Sequence, residues 1–407
     1  MKKMKVKPTF GEHQIYQEII NYPSQHIEHL GASKKMTSGK YYESKNIKVY
    51  LQYPWKFPDS PYYKSLIDSP PKGIEFQNIE KQKGVITNKQ FFWFSNFLKR
   101  NIRRCANILK LPISNAHLAP AGNYDLIHCA HCLSKNINKP WVCDIESWWS
   151  MFVSGNEIEG TKRKVKKILM HPNCKKIMPW TEATKKDILE KFPIIKNKVE
   201  VVYPAIPGIK DLRKTKNKRL KIIFISRYFD IKGGLIALEV LGRLRNKYDI
   251  EGIVVSNVSN KLKEKYPELK IYDLVPQKEL FKLMKSSDIF LYPGSVDTFG
   301  FSLLEAMAFG LPVITINTEW TKSRKEIIEN NKTGLMFDVK KKLSFDKIGK
   351  NEKIVIEKLV KKTLILIENQ KLREKMSKEC LRTIRDGKFS IKERNKKLKR
   401  IYAEAIK

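Results

Sequence analysis

Short runs of β-branched and aromatic residues recur along this chain at spacings that leave room for a helix between them, and the series breaks once and starts again. Strands joined by helix-length segments cannot pair through tight hairpins. They need crossovers, and crossovers build parallel sheets covered by helices. The first series runs IKVYLQY (Ile47–Tyr53), GIEF (Gly73–Phe76), DLIHCA (Asp125–Ala130), WVCDIE (Trp141–Glu146), CKKIMPW (Cys174–Trp180) and VEVVYP (Val199–Pro204). Between them lie a short helix after the loop PWKFPDSPYY, a stretch with Phe91, Phe94, Leu98, Ile102, Cys105 and Leu109 at helical spacing, a lysine-rich helix near 160–170, and the capped segment TEATKKDILEKF.

The break is PAIPGIKDLRKTKNKR (Pro204–Arg219), punctuated by proline and glycine and then heavily charged. The second series follows as LKIIFIS, GLIALEVLGRLRN, IEGIVVS, KIYDLV, QKELFKLMKSS, DIFLYP, FSLLEAMAFG and LPVITIN. The expected fold class is therefore α/β, with two Rossmann-like, doubly wound parallel-sheet domains facing across a cleft. The expected divisions are an extension at 1–45, a first domain at 46–208, a linker at 209–219, a second domain at 220–388 and a last helix at 389–407. A ligand belongs in the crevice outside the carboxyl ends of the strands. No G-x-G-x-x-G follows a first strand in either half, so the dinucleotide fingerprint is missing.

Composition narrows the class further. No run of about 18 apolar residues is present, so no membrane-spanning helix is expected. The start MKKMKVKPTFGEHQ has no apolar stretch behind it, so a secretory leader is not expected either. Six scattered cysteines do not make a disulfide scaffold, and a cytoplasmic, reduced protein is the expectation. The net charge of +38 is carried mostly by lysines spread singly and in pairs. Nucleic-acid binding, a solvated lysine-rich surface and attraction to anionic ligands or lipids all fit the charge alone. A nucleic-acid binder would cluster arginines and aromatics on one face, and this charge is diffuse.

The most informative stretch is Leu291–Thr315, LYPGSVDTFGFSLLEAMAFGLPVIT. A buried strand ends at Pro293, a loop carries Asp297 and Gly300, and a helix starts near Phe301. Glycine lets backbone approach a ligand closely, and free N–H groups at a helix start attract anions. Asp297 and Glu305 then offer two carboxylates as hydroxyl acceptors, although a capped core helix would have the same spacing.

This stretch resembles the donor-site signature of the retaining GT-B glycosyltransferases of glycosyltransferase family 4. That signature runs Pro-x-x-x-Glu-x-Phe-Gly-x-x-x-x-Glu-Ala-Met-Ala-x-Gly-x-Pro-Val. Pro293, Phe299, Gly300, Glu305, Ala306, Met307, Ala308, Gly310, Pro312 and Val313 match it in register, with Asp297 at the first acidic position in place of glutamate. The resemblance implies that the first acid contacts donor-sugar hydroxyls and the second holds the ribose. It also implies that Phe299, Gly300, Phe301 and Ser302 belong to the donor site. IIFISRYFDIKGG (Ile222–Gly234) is similar to the family's strand, Gly-Arg and Lys-Gly segment, with Ser226 replacing glycine. Arg227 and Lys232 thereby fall on the pair that binds the nucleotide diphosphate. KEIIENNKTGLMF (Lys325–Phe337) and the tail FSIKERNKKLKRIYAEAIK resemble flanking elements, with Glu326 at a commonly acidic position and the tail as the helix that crosses back to the first domain.

In the first half the family often has a histidine after the second cleft-lining strand, and here Asp144-Ile145-Glu146 occupies that place. Glu146, Asp144 and His131 are all candidates for the polar residue on the acceptor side. Asp144 could equally cap a loop, and Glu146 could simply be exposed. His128, Cys129, His131 and Cys132 make only half of a zinc pattern, and no metal site is expected.

The function implied is retaining, metal-independent transfer of a sugar from a nucleotide-diphosphate sugar to a glycan or lipid-linked acceptor. Arg227, Lys232, Asp297 and Glu146 are the catalytic candidates. No cofactor is implied beyond the donor substrate. A sugar-nucleotide epimerase, a phosphorylase, a basic nucleic-acid binder and an inactive scaffold are the alternatives. The stretch 91–111 combines Phe91, Phe92, Trp93 and Phe94 with Lys99, Arg100, Arg103 and Arg104. It fits either a core helix or peripheral docking on an anionic membrane, at the inner face of the cell membrane.

Overall fold

The computed structural model describes residues 46–52, 61–79, 97, 101, 105, 108–109, 111, 113–153, 159–208 and 218–407. The chain divides into two compact units. The first ends at Val202 and takes back Asn395–Lys407, and the second is Tyr203–Arg394.

The first unit contains β1 (Ile47–Gln52), α1 (Pro61–Asp68), β2 (Ile74–Gln77), β3 (Ala116–His117), β4 (Leu126–Ala130), β5 (Leu133–Ser134), β6 (Trp141–Ile145), α2 (Glu159–Met170), β7 (Cys174–Pro179) and α3 (Glu182–Lys191). Five strands form a parallel sheet in the order β2-β1-β4-β6-β7, while β3 and β5 pair separately. Every residue of β4 and β6 is buried, as expected for central parallel strands covered on both faces. Thr181 caps α3 by accepting the Thr184 N–H at 3.0 Å.

The second unit contains β8 (Leu220–Ile225), α4 (Gly234–Arg245), β9 (Ile250–Val255), α5 (Asn260–Lys265), β10 (Lys270–Tyr272), α6 (Gln277–Lys285), β11 (Ile289–Tyr292), α7 (Phe301–Ala308), β12 (Val313–Asn317), α8 (Arg324–Ile327), β13 (Gly334–Asp338), α9 (Lys350–Glu368) and α10 (Gln370–Arg385). Its sheet is parallel throughout, in the order β10-β9-β8-β11-β12-β13. By position along the chain this is third, second, first, fourth, fifth, sixth, the Rossmann order. Ile222 and Phe224 of β8, Leu238 and Leu241 of α4, and Ile356 and Leu359 of α9 are fully buried in one core. Full burial of each such side chain favours the fold by about 1.5–3 kcal/mol. Last comes α11 (Ile391–Ala405), which begins in the second unit and continues into the first from Asn395.

Some elements differ from expectation. VEVVYP does not form a full strand. Glu200 N–H donates to Ile177 O at 3.0 Å and Val202 N–H to Pro179 O at 3.1 Å, with one bridge between Ile177 and Val199. A parallel ladder also needs the residue-179 N–H, and Pro179 has none, so pairing stops there. These bonds tie Val199–Val202 to β7, and the unit boundary accordingly falls after Val202 rather than at 208. The return crossing falls after Arg394 rather than at 389. Within 91–111, residues 97, 101, 105 and 108 are helical, and the other residues placed on the apolar face, Phe91, Phe94, Leu98 and Ile102, lie outside the described residues. Cys105 and Leu109 face solvent instead of a core. The extension 1–45 and most of the linker 209–219 also lie outside the described residues. The helices α9 and α10 have no counterpart in the strand–helix alternation read from the sequence.

Candidate active site

In the second unit the strand order reverses between β8 and β11, which are neighbours in the sheet. Their carboxyl ends therefore open a crevice at a topological switch point. From β8 the chain passes through Ser226 and Arg227 to Lys232 and α4. From β11 it passes through Pro293 and Asp297 to Gly300 and α7. Gly233 has φ +75°, and a Cβ there would lie 2.9 Å from the Pro293 carbonyl oxygen. Bare backbone at this point is what allows the Lys232 loop to lie against the β11 loop. Gly300, at φ +102°, caps α7, and a Cβ there would approach a methyl of Leu303 to 3.0 Å. The N-cap residue of α7 is a glycine with no side chain to cap it, and the positive end of the helix dipole lies at this start.

Lys232 is buried, and its Nζ lies 2.9 Å from Asp297 Oδ1 while donating to the Val296 carbonyl at 2.9 Å. The other carboxylate oxygen accepts the Tyr292 hydroxyl at 3.0 Å and stands 3.7 Å from Arg324 Nη2. Arg324 is 1% exposed and its Nη1 donates to the Gly294 and Ile316 carbonyls at 2.7 and 2.6 Å, joining the ends of β11 and β12. Burial would push the Asp297 carboxyl up, but Lys232 and then Arg324 offset this and hold it below the usual carboxylate range.

Glu305, in the second turn of α7, behaves oppositely. It keeps some surface open to solvent, yet dense surroundings push its carboxyl up to about 7, against the pull of Arg227. Arg227 itself is exposed. An acid raised on folding holds a proton that the unfolded chain releases from about pH 4.5 upward. Stability from this group is therefore complete below about pH 4.5 and declines as pH rises toward 7. Glu305→Gln should remove that decline, making the variant more stable than wild type at pH 8 by about 1–3 kcal/mol. Thermal melts from pH 4 to 8 check this, and parallel pH dependence in the two proteins would refute it.

The remaining donor-side candidates separate by burial. Phe299 is buried against Phe301 and Phe389, with centroids 5.0 and 6.3 Å away, so its ring packs the loop. Phe301 and Ser302 are partly exposed at the helix start. Tyr203 donates to Glu326 at 2.8 Å.

In the first unit, β6 carries Asp144 into a fully buried position. There it accepts the Tyr63 hydroxyl at 2.6 Å and the His131 backbone N–H at 3.2 Å, and lies 3.1 Å from His128 Nε2. His128 Nδ1 is hydrogen-bonded to the Tyr402 hydroxyl of α11 at 2.7 Å. His131 sits just past β4 with φ +51°, a left-handed conformation unusual for a side-chain-bearing residue, and its ring meets Trp180 edge-on. Asp144 thus does hold a loop, the one that presents His131. Its carboxyl stays below the usual range because the bond from His128, then the charges of both histidines and the Tyr63 bond, outweigh burial. Glu146, half-buried, follows the strand, and its carbonyl accepts the Thr184 hydroxyl at 2.9 Å. Among the described residues no three histidine, cysteine or acidic side chains are grouped to hold a metal ion.

Sequence reasoning missed Arg324, Tyr292, Tyr63 and Tyr402. Arg324 stands in the run KSRKE of a very basic chain, where nothing distinguishes it from a surface cation. Tyr63 and Tyr402 are far in sequence from Asp144 and His128, and only the fold brings them together.

Residues 209–380 match the family described as "Glycosyl transferases group 1". An uncharacterized glycosyltransferase of Haemophilus influenzae is 28% identical over 238 residues, 56% of this chain and 61% of that protein. N-acetylgalactosamine-N,N'-diacetylbacillosaminyl-diphospho-undecaprenol 4-alpha-N-acetylgalactosaminyltransferase of Campylobacter jejuni is 23% identical over 179 residues, 42% of this chain and 48% of that protein. The chain spans about half the length of the curated relatives it matches. Among solved structures, a glycosyltransferase from Rickettsia africae aligns over 89% of this chain and 99% of its own with a TM-score of 0.57. At 17% identity this establishes the shared fold, GT-B with two Rossmann-like domains.

Proposed function

We propose that this chain, which carries the group 1 glycosyl transferase domain on the GT-B fold, transfers a sugar from a nucleoside-diphosphate sugar to a hydroxyl of a glycan or lipid-linked acceptor. Transfer proceeds with retention at the reacting carbon and without a metal ion. What supports this is that Arg227, whose charge acts on Glu305 of α7, and Lys232, ion-paired with Asp297 at 2.9 Å, stand on the loop that follows β8, next to the β11 loop at the switch point. A departing nucleoside diphosphate develops negative charge, and each charge-assisted bond to it is worth roughly 1.5–3 kcal/mol. Two cations placed beforehand stabilise that charge in the way a divalent ion otherwise would. Glu305 takes the ribose hydroxyls. Positioning the acceptor falls to the first unit, where Asp144, His131 and Glu146 lie at or just beyond the carboxyl ends of β4 and β6.

A panel of nucleotide sugars tests the donor. At least one is expected to raise the melting temperature, and the stabilised donor is expected to be consumed in the presence of EDTA. Loss of turnover in EDTA with recovery in manganese or magnesium would overturn metal independence.

A lipid-linked acceptor is favoured by the Campylobacter relative, whose name specifies a diphospho-undecaprenol substrate. Exposed Phe97, Ile108 and Leu109 and the net charge of +38 support peripheral membrane association for this transfer. No helix among the described residues is long and apolar enough to cross a membrane. The protein is expected to sediment with anionic liposomes at low salt and to be released at high salt. A protein that stays in the supernatant would point to an acceptor free in solution.

A further inference from the structure

We infer that Asp297 serves as the fixed counter-ion of two buried cations, Lys232 and Arg324, and that Arg324 is a positioning residue that sets how much of the Lys232 charge reaches a bound diphosphate. This rests on the reading that a nucleoside diphosphate occupies the site. Asp297 is 8% exposed, and both its oxygens are already engaged, one by Lys232 and the other by Tyr292 and Arg324. A carboxylate enclosed in this way has little accepting capacity left for sugar hydroxyls. The Lys232 ammonium has three N–H groups, of which Asp297 and the Val296 carbonyl take two. One remains for a ligand oxygen.

Arg324 is held by its Nη1, which donates to the carbonyls of Gly294 and Ile316, while its Nε and Nη2 make no hydrogen bond. Those bonds fix the guanidinium beside Asp297 while Lys232 stands on a flexible stem. Charge counting gives the consequence. Two cations against one carboxylate leave the cluster with one net positive charge. Without Arg324, Asp297 would match Lys232 fully, and the cluster would present no net charge to an incoming anion. Asp297 keeps Lys232 in place, and Arg324 leaves the cluster with a net positive charge toward the ligand.

Calorimetry with inorganic pyrophosphate, UDP and GDP, without divalent ions, tests this on the full chain. Pyrophosphate is the deciding probe because it carries no sugar, ribose or base. Counting charge, wild type has +1, Asp297→Asn +2, Arg324→Met 0, and the double variant +1. Asp297→Asn is expected to bind pyrophosphate about tenfold more tightly and Arg324→Met about tenfold more weakly, with the double variant close to wild type. Asp297→Asn leaves two buried cations without a carboxylate. If it does not fold, Arg324→Met alone decides, and unchanged pyrophosphate affinity there overturns the inference. It is equally overturned if Asp297→Asn binds pyrophosphate as wild type does and loses affinity only for intact nucleotide sugars, because Asp297 is then a sugar contact. A wild type that binds none of the three probes refutes the donor site itself.

Discussion

Lys232→Ala is expected to lower turnover by about 10²–10³-fold, the usual cost of losing one electrostatic donor aimed at developing charge. Lys232 is buried beside Asp297, so its removal also leaves a carboxylate with only the more distant Arg324 as counter-ion. A modest loss of stability should accompany the loss of rate. Arg227→Ala separates the two effects. Arg227 is exposed, and its removal should cost a similar factor in turnover with an unchanged melting temperature. Both variants should bind nucleoside diphosphate more weakly. Wild-type affinity by calorimetry in either one would remove that residue from the donor site.

Asp144→Ala is expected to destabilise the first unit by about 3–5 kcal/mol, the range for breaking a buried, charge-assisted network by removing one partner. It strands donors from Tyr63, His128 and the His131 backbone at one point in the core. Every tryptophan except Trp320 precedes Tyr203, so intrinsic fluorescence in a urea titration reports mainly on this unit. The pH dependence has a defined sign. Because the Asp144 carboxyl is depressed by folding, its contribution is present above about pH 4 and is lost as pH falls through the lower folded value. Wild type should therefore lose stability steeply in acid, and Asp144→Asn should lose less. Equal urea midpoints for wild type and Asp144→Ala would show that the network contributes nothing net.

How much was legible in the sequence depended on how local the signal was. The strands of both sheets could be read because central parallel strands are continuous apolar runs, and β8, β11 and β12 are such runs. Lys232, Asp297, Gly300 and Glu305 could be named because each falls in a short contiguous pattern that resembles the family's donor-site segments. Rossmann-like topology then carries those patterns to the switch point. Val199–Pro204 misled because its β propensity is real, while the limiting donor is missing on a different strand, at Pro179. The exposed Cys105 and Leu109 show that helical spacing reports periodicity and leaves open which face is covered.

The roles of the charged groups were beyond sequence reading. Asp297 and Glu305 have similar side chains eight positions apart, yet one is held ionised and the other is pushed up to about 7. Arg324, held beside Asp297 by its bonds to the Gly294 and Ile316 carbonyls, makes part of that difference, as does the Tyr292 hydroxyl. Asp144 is paired with His128 on β4 and with His131 just past it, and tied through His128 to a tyrosine on the last helix. Sequence alone determined the alternation of elements and the parallel sheets, because these follow from apolar periodicity and local backbone chemistry. Only the tertiary structure decided which carboxylate is a counter-ion, which is held near neutrality, and which histidine is presented on a loop, because a buried charge takes its energy from neighbours that the fold, not the chain order, puts within a few ångströms.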